Sequence, residues 1–143
     1  MQEIINIVTE YFKMNNGELV KDSAGEIFIV KMEYENLFYN VHITKRSLKH
    51  FTERRKEDFS KKHSENKSLE IIKLMISDLS LIINKPDKKV VHTTRENSLL
   101  IYKKTNSHAT PMCLVLEIKN NKMYLVSLHF IKERDFEKML STK

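Results

Sequence analysis

The spacing of apolar residues changes along this chain, and that change limits the folds open to it more than any other feature. Ile4, Ile5, Val8, Tyr11 and Phe12 come close to the i, i+4, i+7 repeat of an amphipathic helix, which the turn signal Asn15-Asn16-Gly17 would end. Residues 26–32 and 36–44 are rich in Phe, Ile, Val and Tyr and read as a hairpin across a short polar link. The helical period then returns. Thr44 can cap a helix running to about Asp58, with Leu48, Phe51 and Phe59 on one side. After a polar link at residues 61–67, Ser68 can cap a second helix that Asn84 and Pro86 end. The apolar residues of that helix cover more than one face, so it is expected to be central and largely buried.

From residue 88 onward the strand period takes over, in four segments at 88–94, 98–104, 112–119 and 122–131. Asn120-Asn121 suits a two-residue hairpin turn, because Asn tolerates positive φ. A terminal helix over about 133–140 closes the chain. Helices followed by a meander describe an α+β domain, with helices packed on one face of a four-stranded (or larger) antiparallel sheet. The 143 residues suit one domain, read here as an N-terminal helix and strand extension (1–35) and a core (36–143).

Composition narrows the chemistry. A single Cys excludes a disulfide framework and a Cys-based zinc cluster, and fits a reducing compartment. Two Gly leave no Gly-rich phosphate loop. Residues 1–5 lack the basic region of a secretory signal, and no run reaches the roughly 20 apolar residues that span a bilayer, so a soluble, cytoplasmic protein without membrane contact is expected. No metal-ligand spacing occurs among the six His, Ser127 lacks the turn of a hydrolase nucleophile, and neither metal nor cofactor is expected. The formal charge is +6, from 25 Lys and Arg against 19 Asp and Glu, which favours phosphate-bearing partners.

Three groups of residues could carry chemistry. Arg46, His50 and Arg54 stack at i, i+4, i+8 on the helix that begins at Lys45. Such a basic line repels itself but suits a phosphate backbone. A solvated face with Glu53 and Glu57 as neutralising neighbours fits the same spacing. On the last strand, alternation puts Tyr124, Val126, Leu128 and Phe130 on one face, and Ser127 and His129 on the other with Met123 and Leu125. Ser127 and His129 would then reach one phosphate, or be ordinary polar strand residues. The third group is His92, Arg95, Tyr102 and either Lys103 or Lys104, on two strands expected to pair. Alternation does not say which Lys turns toward the basic helix. His42 reads as a hydrogen-bonded core histidine, His63 and His108 as solvated, and Cys113 as a small buried hydrophobe. With 8% aromatic residues, no platform for stacking bases stands out.

The order of these motifs resembles a family. A strand ending in Ile43-Thr44, the helix Lys45-Arg46-Ser47-Leu48-Lys49-His50-Phe51 and a greasy helix closing with Leu81-Ile82-Ile83-Asn84-Lys85-Pro86-Asp87 are similar to the phage and prophage nucleases grouped with barnase, EndoU, colicin and RelE toxins (the BECR fold). Tyr102-Lys103 and a final Val-Ser-x-His continue the match, which spans about residues 38–132. The resemblance implies a metal-independent ribonuclease with its active site on the open face of the sheet. Such an enzyme uses the RNA 2′-hydroxyl as nucleophile and leaves a 2′,3′-cyclic phosphate. Carried onto this chain, it implies His50 and His129 as the acid–base pair and Ser127 as a donor to phosphate. Lys103 would be a catalytic cation, with Lys45, Arg46, Arg54, Arg95 and Tyr102 contacting RNA. His129 stands where the family tends to have an aromatic residue, and Ser127 where it has Thr. The implied partner is RNA (tRNA, mRNA or ribosome-bound), with an antitoxin or immunity protein as a second partner. The sequence leaves open two other readings, a non-catalytic RNA- or ribosome-binding module of the same shape and a protein-binding inhibitor module.

Overall fold

A computed structural model describes residues 2–13, 25–91 and 97–142, and for residues 11–13 the backbone alone. The expected turn at 15–17, the side chains of Tyr11 and Phe12, and His92 and Arg95 lie outside the described residues. The chain divides into two compact units, residues 1–27 with 43–77, and residues 28–42 with 78–143.

The first unit is helical. Helices α1 (Gln2–Lys13), α2 (Lys45–Ser60) and α3 (Glu65–Ser77) touch one another, and each buries one stripe. The buried residues are Ile4 and Val8 on α1, Leu48, Phe51 and Thr52 on α2, and Ile72, Met75 and Ile76 on α3. Thr44 caps α2 as expected, its Oγ1 accepting from the Ser47 amide at 3.0 Å. A cap of this kind contributes about 1 kcal/mol. For α3 the cap is Ser64, whose Oγ accepts from the Lys67 amide at 3.2 Å. Ser68, expected at that position, lies inside the helix and donates to the Ser64 carbonyl. Either hydroxyl suits a cap, and Glu65, at the first turn, favours the earlier start.

The expected single greasy helix is two. After α3 the chain breaks at Asp78 and resumes as α4 (Leu79–Asn84), in the second unit. Asp78 is drawn aside by the loop after residue 104. Its carboxylate accepts from Thr105 Oγ1 at 2.9 Å and Ser107 Oγ at 3.2 Å, with His108 Nε2 3.9 Å away. His108, expected to be solvated, has a side chain only 8% exposed and packs edge-on to Phe130.

The second unit is built on one six-stranded sheet, in the order β1-β2-β6-β5-β4-β3. The strands are β1 (Glu26–Tyr34), β2 (Leu37–Thr44), β3 (Lys88–Val91), β4 (Ser98–Lys103), β5 (Met112–Lys119) and β6 (Lys122–Phe130). Glu35 and Asn36 form the β1–β2 turn at φ of 53° and 66°, and Asn120 begins the β5–β6 turn at φ 57°. Paired positive φ angles match the right-handed twist of the strands they join. Strands β3 to β6 form the expected antiparallel meander. The sheet as a whole is mixed, because β2 lies parallel to β6 through Asn40↔Lys122, Val41↔Met123 and His42↔Tyr124. That pairing corrects the all-antiparallel expectation, and it adds the N-terminal hairpin to the sheet. The fold class remains α+β.

One face of the sheet is buried along its central strands, through Leu99 and Ile101, then Met112, Leu114 and Leu116, then Met123, Leu125 and Leu128, each at most 2% exposed. On the other face, α5 (Glu133–Ser141) lays Phe136 and Met139 over Tyr102, Cys113 and Val115. Among the described residues, no helix is long and apolar enough to cross a membrane.

Two outcomes follow for stability. Glu35 holds a positive φ that costs a non-Gly, non-Asn residue about 1 kcal/mol, so Glu35→Asn should raise stability by roughly 0.5–1 kcal/mol in urea unfolding. Burial lowers the pKa of His108, against the opposing pull of Asp78. The folded chain thus binds this proton more weakly than the unfolded chain does. Its contribution is intact above the unfolded pKa of about 6.5 and declines as pH falls below that value. Melting temperatures followed from pH 8 to pH 5.5 should therefore drop less in His108→Gln than in the parent.

Candidate active site

The meander carries an irregularity that decides which side chains share a face. From Val115↔Ser127 the register steps to Leu116↔Leu125, so Val126 is an extra residue on β6. A bulge of this kind reverses the alternation beyond it. His129 pairs with Cys113, Ser127 with Val115 and Tyr124 with Glu117, which puts His129, Ser127 and Tyr124 on one face of the sheet. Met123 and Leu125, expected beside Ser127 and His129, are instead buried on the opposite face with Leu128. Simple alternation fails here because it assumes an unbroken ladder.

Ser127 Oγ and His129 Nδ1 lie 3.1 Å apart. The hydroxyl thereby fixes the ring's orientation and sets which nitrogen takes part in that contact. Below His129 is a pocket of about 450 Å³, lined by Tyr102, Cys113 and Val115 from the sheet and by Asp135, Lys138 and Met139 from α5. One histidine, one carboxylate and one ammonium around an apolar floor can transfer a proton and attract an anion. Sequence reasoning passed over Asp135 and Lys138. Their i, i+3 spacing puts them on one face of a helix, but nothing local says that the face overlooks the sheet.

Tyr102 and Cys113 are direct cross-strand partners, and the tyrosine hydroxyl is hydrogen-bonded to the thiol. Burial pushes the phenol up to about 12 and the thiol up to about 11. Both are therefore neutral near pH 7, and the thiol is no nucleophile. Tyr102, expected as an RNA contact, is 8% exposed and forms part of the pocket floor. Lys103, expected to join His129 and Ser127, belongs to the other face of the sheet, since its neighbour Tyr102 shares a row with Cys113 and His129. Asp87 holds the Lys103 ammonium there at 3.3 Å. Lys104 is the one that reaches α5, where it pairs with Glu133 at 3.1 Å.

The basic stripe lies in the helical unit. Arg46, His50 and Arg54 are all exposed along α2, and among the described residues none of them is paired with a carboxylate. Lys49 and Arg55, off that line, take Glu53 at 4.0 Å and Asp58 at 3.0 Å. The neutralising role expected of Glu53 thus goes to Lys49. Lys45 lies with its stem against Gly25, where a Cβ would meet Cε at 2.9 Å, and its amide donates to the Gly25 carbonyl. His42 of β2 stands edge-on to Phe28 at 5.7 Å and to Tyr124 at 6.2 Å between ring centres. Among the described residues, no three His, Cys, Asp or Glu side chains gather as metal ligands.

The inert thiol gives a direct test of the pocket floor. At pH 8 a group with a pKa of about 11 is ionised to roughly one part in a thousand. Native Cys113 should therefore resist a thiol reagent at pH 8, and should react in step with unfolding when urea is added.

Compared with known proteins, residues 17–138 match the family model described as phage-Barnase-EndoU-ColicinE5/D-RelE like nuclease 3. No curated protein and no solved structure matches the chain.

Proposed function

Because this chain belongs to the phage-Barnase-EndoU-ColicinE5/D-RelE like nucleases, whose substrate is nucleic acid, we propose that it is an endoribonuclease working without a metal ion. The observation that carries this reading is His129, held by Ser127 on a strand face beside a pocket that Lys138 and Asp135 enter. In the proposed reaction the RNA 2′-oxygen forms a bond to phosphorus and the bond from phosphorus to the 5′-oxygen breaks. A base takes the 2′-hydroxyl proton and an acid delivers one to the departing 5′-oxygen, which leaves a 2′,3′-cyclic phosphate. The balance needs no oxidant, reductant or co-reactant.

His129 is one of the two proton carriers, since imidazole titrates near working pH. His50 is proposed as the second. Ser127 positions the His129 ring or donates to a phosphate oxygen. Lys138 takes the part first given to Lys103, that of a cation for the negative charge that grows on phosphorus. Arg46 and Arg54, with Lys45 in support, contact the RNA backbone, where Arg forks bind oxygens in pairs. Arg95 keeps the role that the family resemblance implies. A chain of charge +6 attracts RNA at long range, and the inhibitor that would control it is acidic.

The test is incubation with total RNA in the presence of EDTA. Cleavage should survive chelation and end in 2′,3′-cyclic phosphates. His129→Ala and His50→Ala should each lower the rate by about 100-fold or more. Lys138→Ala should cost about 10- to 1,000-fold. Salt-sensitive binding with no cleavage in the parent protein would reject catalysis and leave an RNA-binding module.

A further inference from the structure

Charge is spread unevenly along this chain. Residues 45–77 carry ten Lys and Arg against five Asp and Glu, whereas the β1–β2 hairpin, residues 26–44, carries Glu26, Glu33 and Glu35 against Lys31 alone. The acidic hairpin is also apolar near its tip. Leu37 and Phe38, just past the turn, are 60% and 65% exposed, and the Lys31 ammonium lies 5.6 Å from the centre of the Phe38 ring. Glu33 and Glu35 are exposed on the other side of the turn. Lone exposed apolar residues are ordinary, but an adjacent pair framed by acids in a basic chain asks for a partner.

The helical unit holds the opposite surface. A groove of about 430 Å³ runs along the exposed side of α3, lined by Lys67, Glu70, Ile71, Lys73 and Leu74. Lys67, Glu70, Ile71 and Leu74 fall at i, i+3, i+4 and i+7, which brings them to one side of the helix. Leu74 is 44% exposed there, while Ile72, Met75 and Ile76 form the buried stripe. The groove therefore sets an apolar pair among two bases and one acid, and the hairpin tip sets an apolar pair among two acids and one base. Packing Leu37 and Phe38 on Ile71 and Leu74 would remove apolar surface from water while unlike charges meet around it. A phosphate-bearing partner would suit the lysines but not the glutamates. Both surfaces stay exposed in the single chain, so one copy does not fill its own groove. A second copy supplies both halves in equal amount.

We infer that the tip of the β1–β2 hairpin of one copy docks on the α3 groove of a second copy, so that the chain associates with itself. The contact is heterologous, because a hairpin on one copy meets a helix face on the other. Each copy offers one of each, and every contact uses one hairpin and one groove. A hairpin tip on one helix covers less than the roughly 1,200 Å² at which stable complexes begin, so the association is weak and depends on concentration. It does not rest on the ribonuclease reading, and its test contains no RNA.

The experiment is sedimentation equilibrium of the full chain from about 10 μM to about 1 mM, a range that covers weak association. The mass of the parent protein should rise above the 17.0 kDa of one copy as concentration increases. Phe38→Ser on the hairpin and Leu74→Ser on α3 should each hold the mass near that of one copy. Both side chains are exposed, so neither change opens the core, and thermal melts check that the variants fold. An equimolar mixture of the two variants should associate again and stop at one pair, because it keeps one intact hairpin and one intact groove per pair. Glu33→Lys and Lys73→Glu test the charges without touching an apolar residue. Each should weaken association of the chain by about 2- to 10-fold at low salt, and by less at high salt. A parent protein that stays at the mass of one copy throughout overturns the inference. Association that survives Leu74→Ser overturns it too, since the hairpin would then meet something other than the groove. So does a mixture that fails to associate, which would leave the two losses unconnected. Charge variants that associate like the parent at low salt would remove the match that selects a second copy, and the inference with it.

Discussion

Strand β6 is bonded on both sides, antiparallel to β5 and parallel to β2, and the arrangement of this sheet depends on it. Only three residue pairs make the parallel seam. They nonetheless join an N-terminal hairpin to a C-terminal meander about eighty positions later, and the loop closure that this requires must be offset by burial. Burial is available because Val41 and Met123 meet at the seam and both are fully enclosed. The same seam sets His42 opposite Tyr124, so the register that buries Val41 and Met123 on one face brings two rings edge-on together on the other.

The bulge at Val126 is the second constraint. In an unbroken β6, Tyr124 would share a face with Leu128, and Ser127 and His129 would share theirs with Met123 and Leu125. The extra residue lets Met123, Leu125 and Leu128 all enter the core while Tyr124, Ser127 and His129 all leave it. A nine-residue strand thus serves a greasy interior and a polar exterior without compromising either. Bulges gather at functional sites for this reason, since one inserted residue redirects side chains without changing the rest of the sheet.

The floor of the pocket shows how a polar pair is kept quiet. Tyr102 and Cys113 satisfy each other across adjacent strands, which removes the cost of burying two unpaired polar groups. Held neutral, they leave His129, Asp135 and Lys138 as the other ionisable side chains that line the pocket. The pocket owes its far wall to α5, whose Phe136 and Met139 anchor it to the sheet by the ordinary removal of apolar surface from water.

Local spacing was enough to read most of the elements. Periodicity and turn chemistry placed α2 with its Thr44 cap, the β1–β2 and β5–β6 hairpins, the meander and the exposed basic line of Arg46, His50 and Arg54. These depend on residues within a few positions of each other, where backbone preference and the alternation of faces act directly. What the sequence could not decide was anything that required two distant segments to meet. The parallel seam, the break at Asp78 drawn by Thr105 and Ser107, the capture of Lys103 by Asp87 and the overlay of α5 on Tyr102 are all settled by packing. So is the row of Phe28, His42 and Tyr124, which no aromatic spacing along the chain foretells. Short-range order follows from each residue's own geometry, whereas long-range pairing is chosen by which combination buries the most apolar surface with its polar groups satisfied, and that choice exists only in the folded chain.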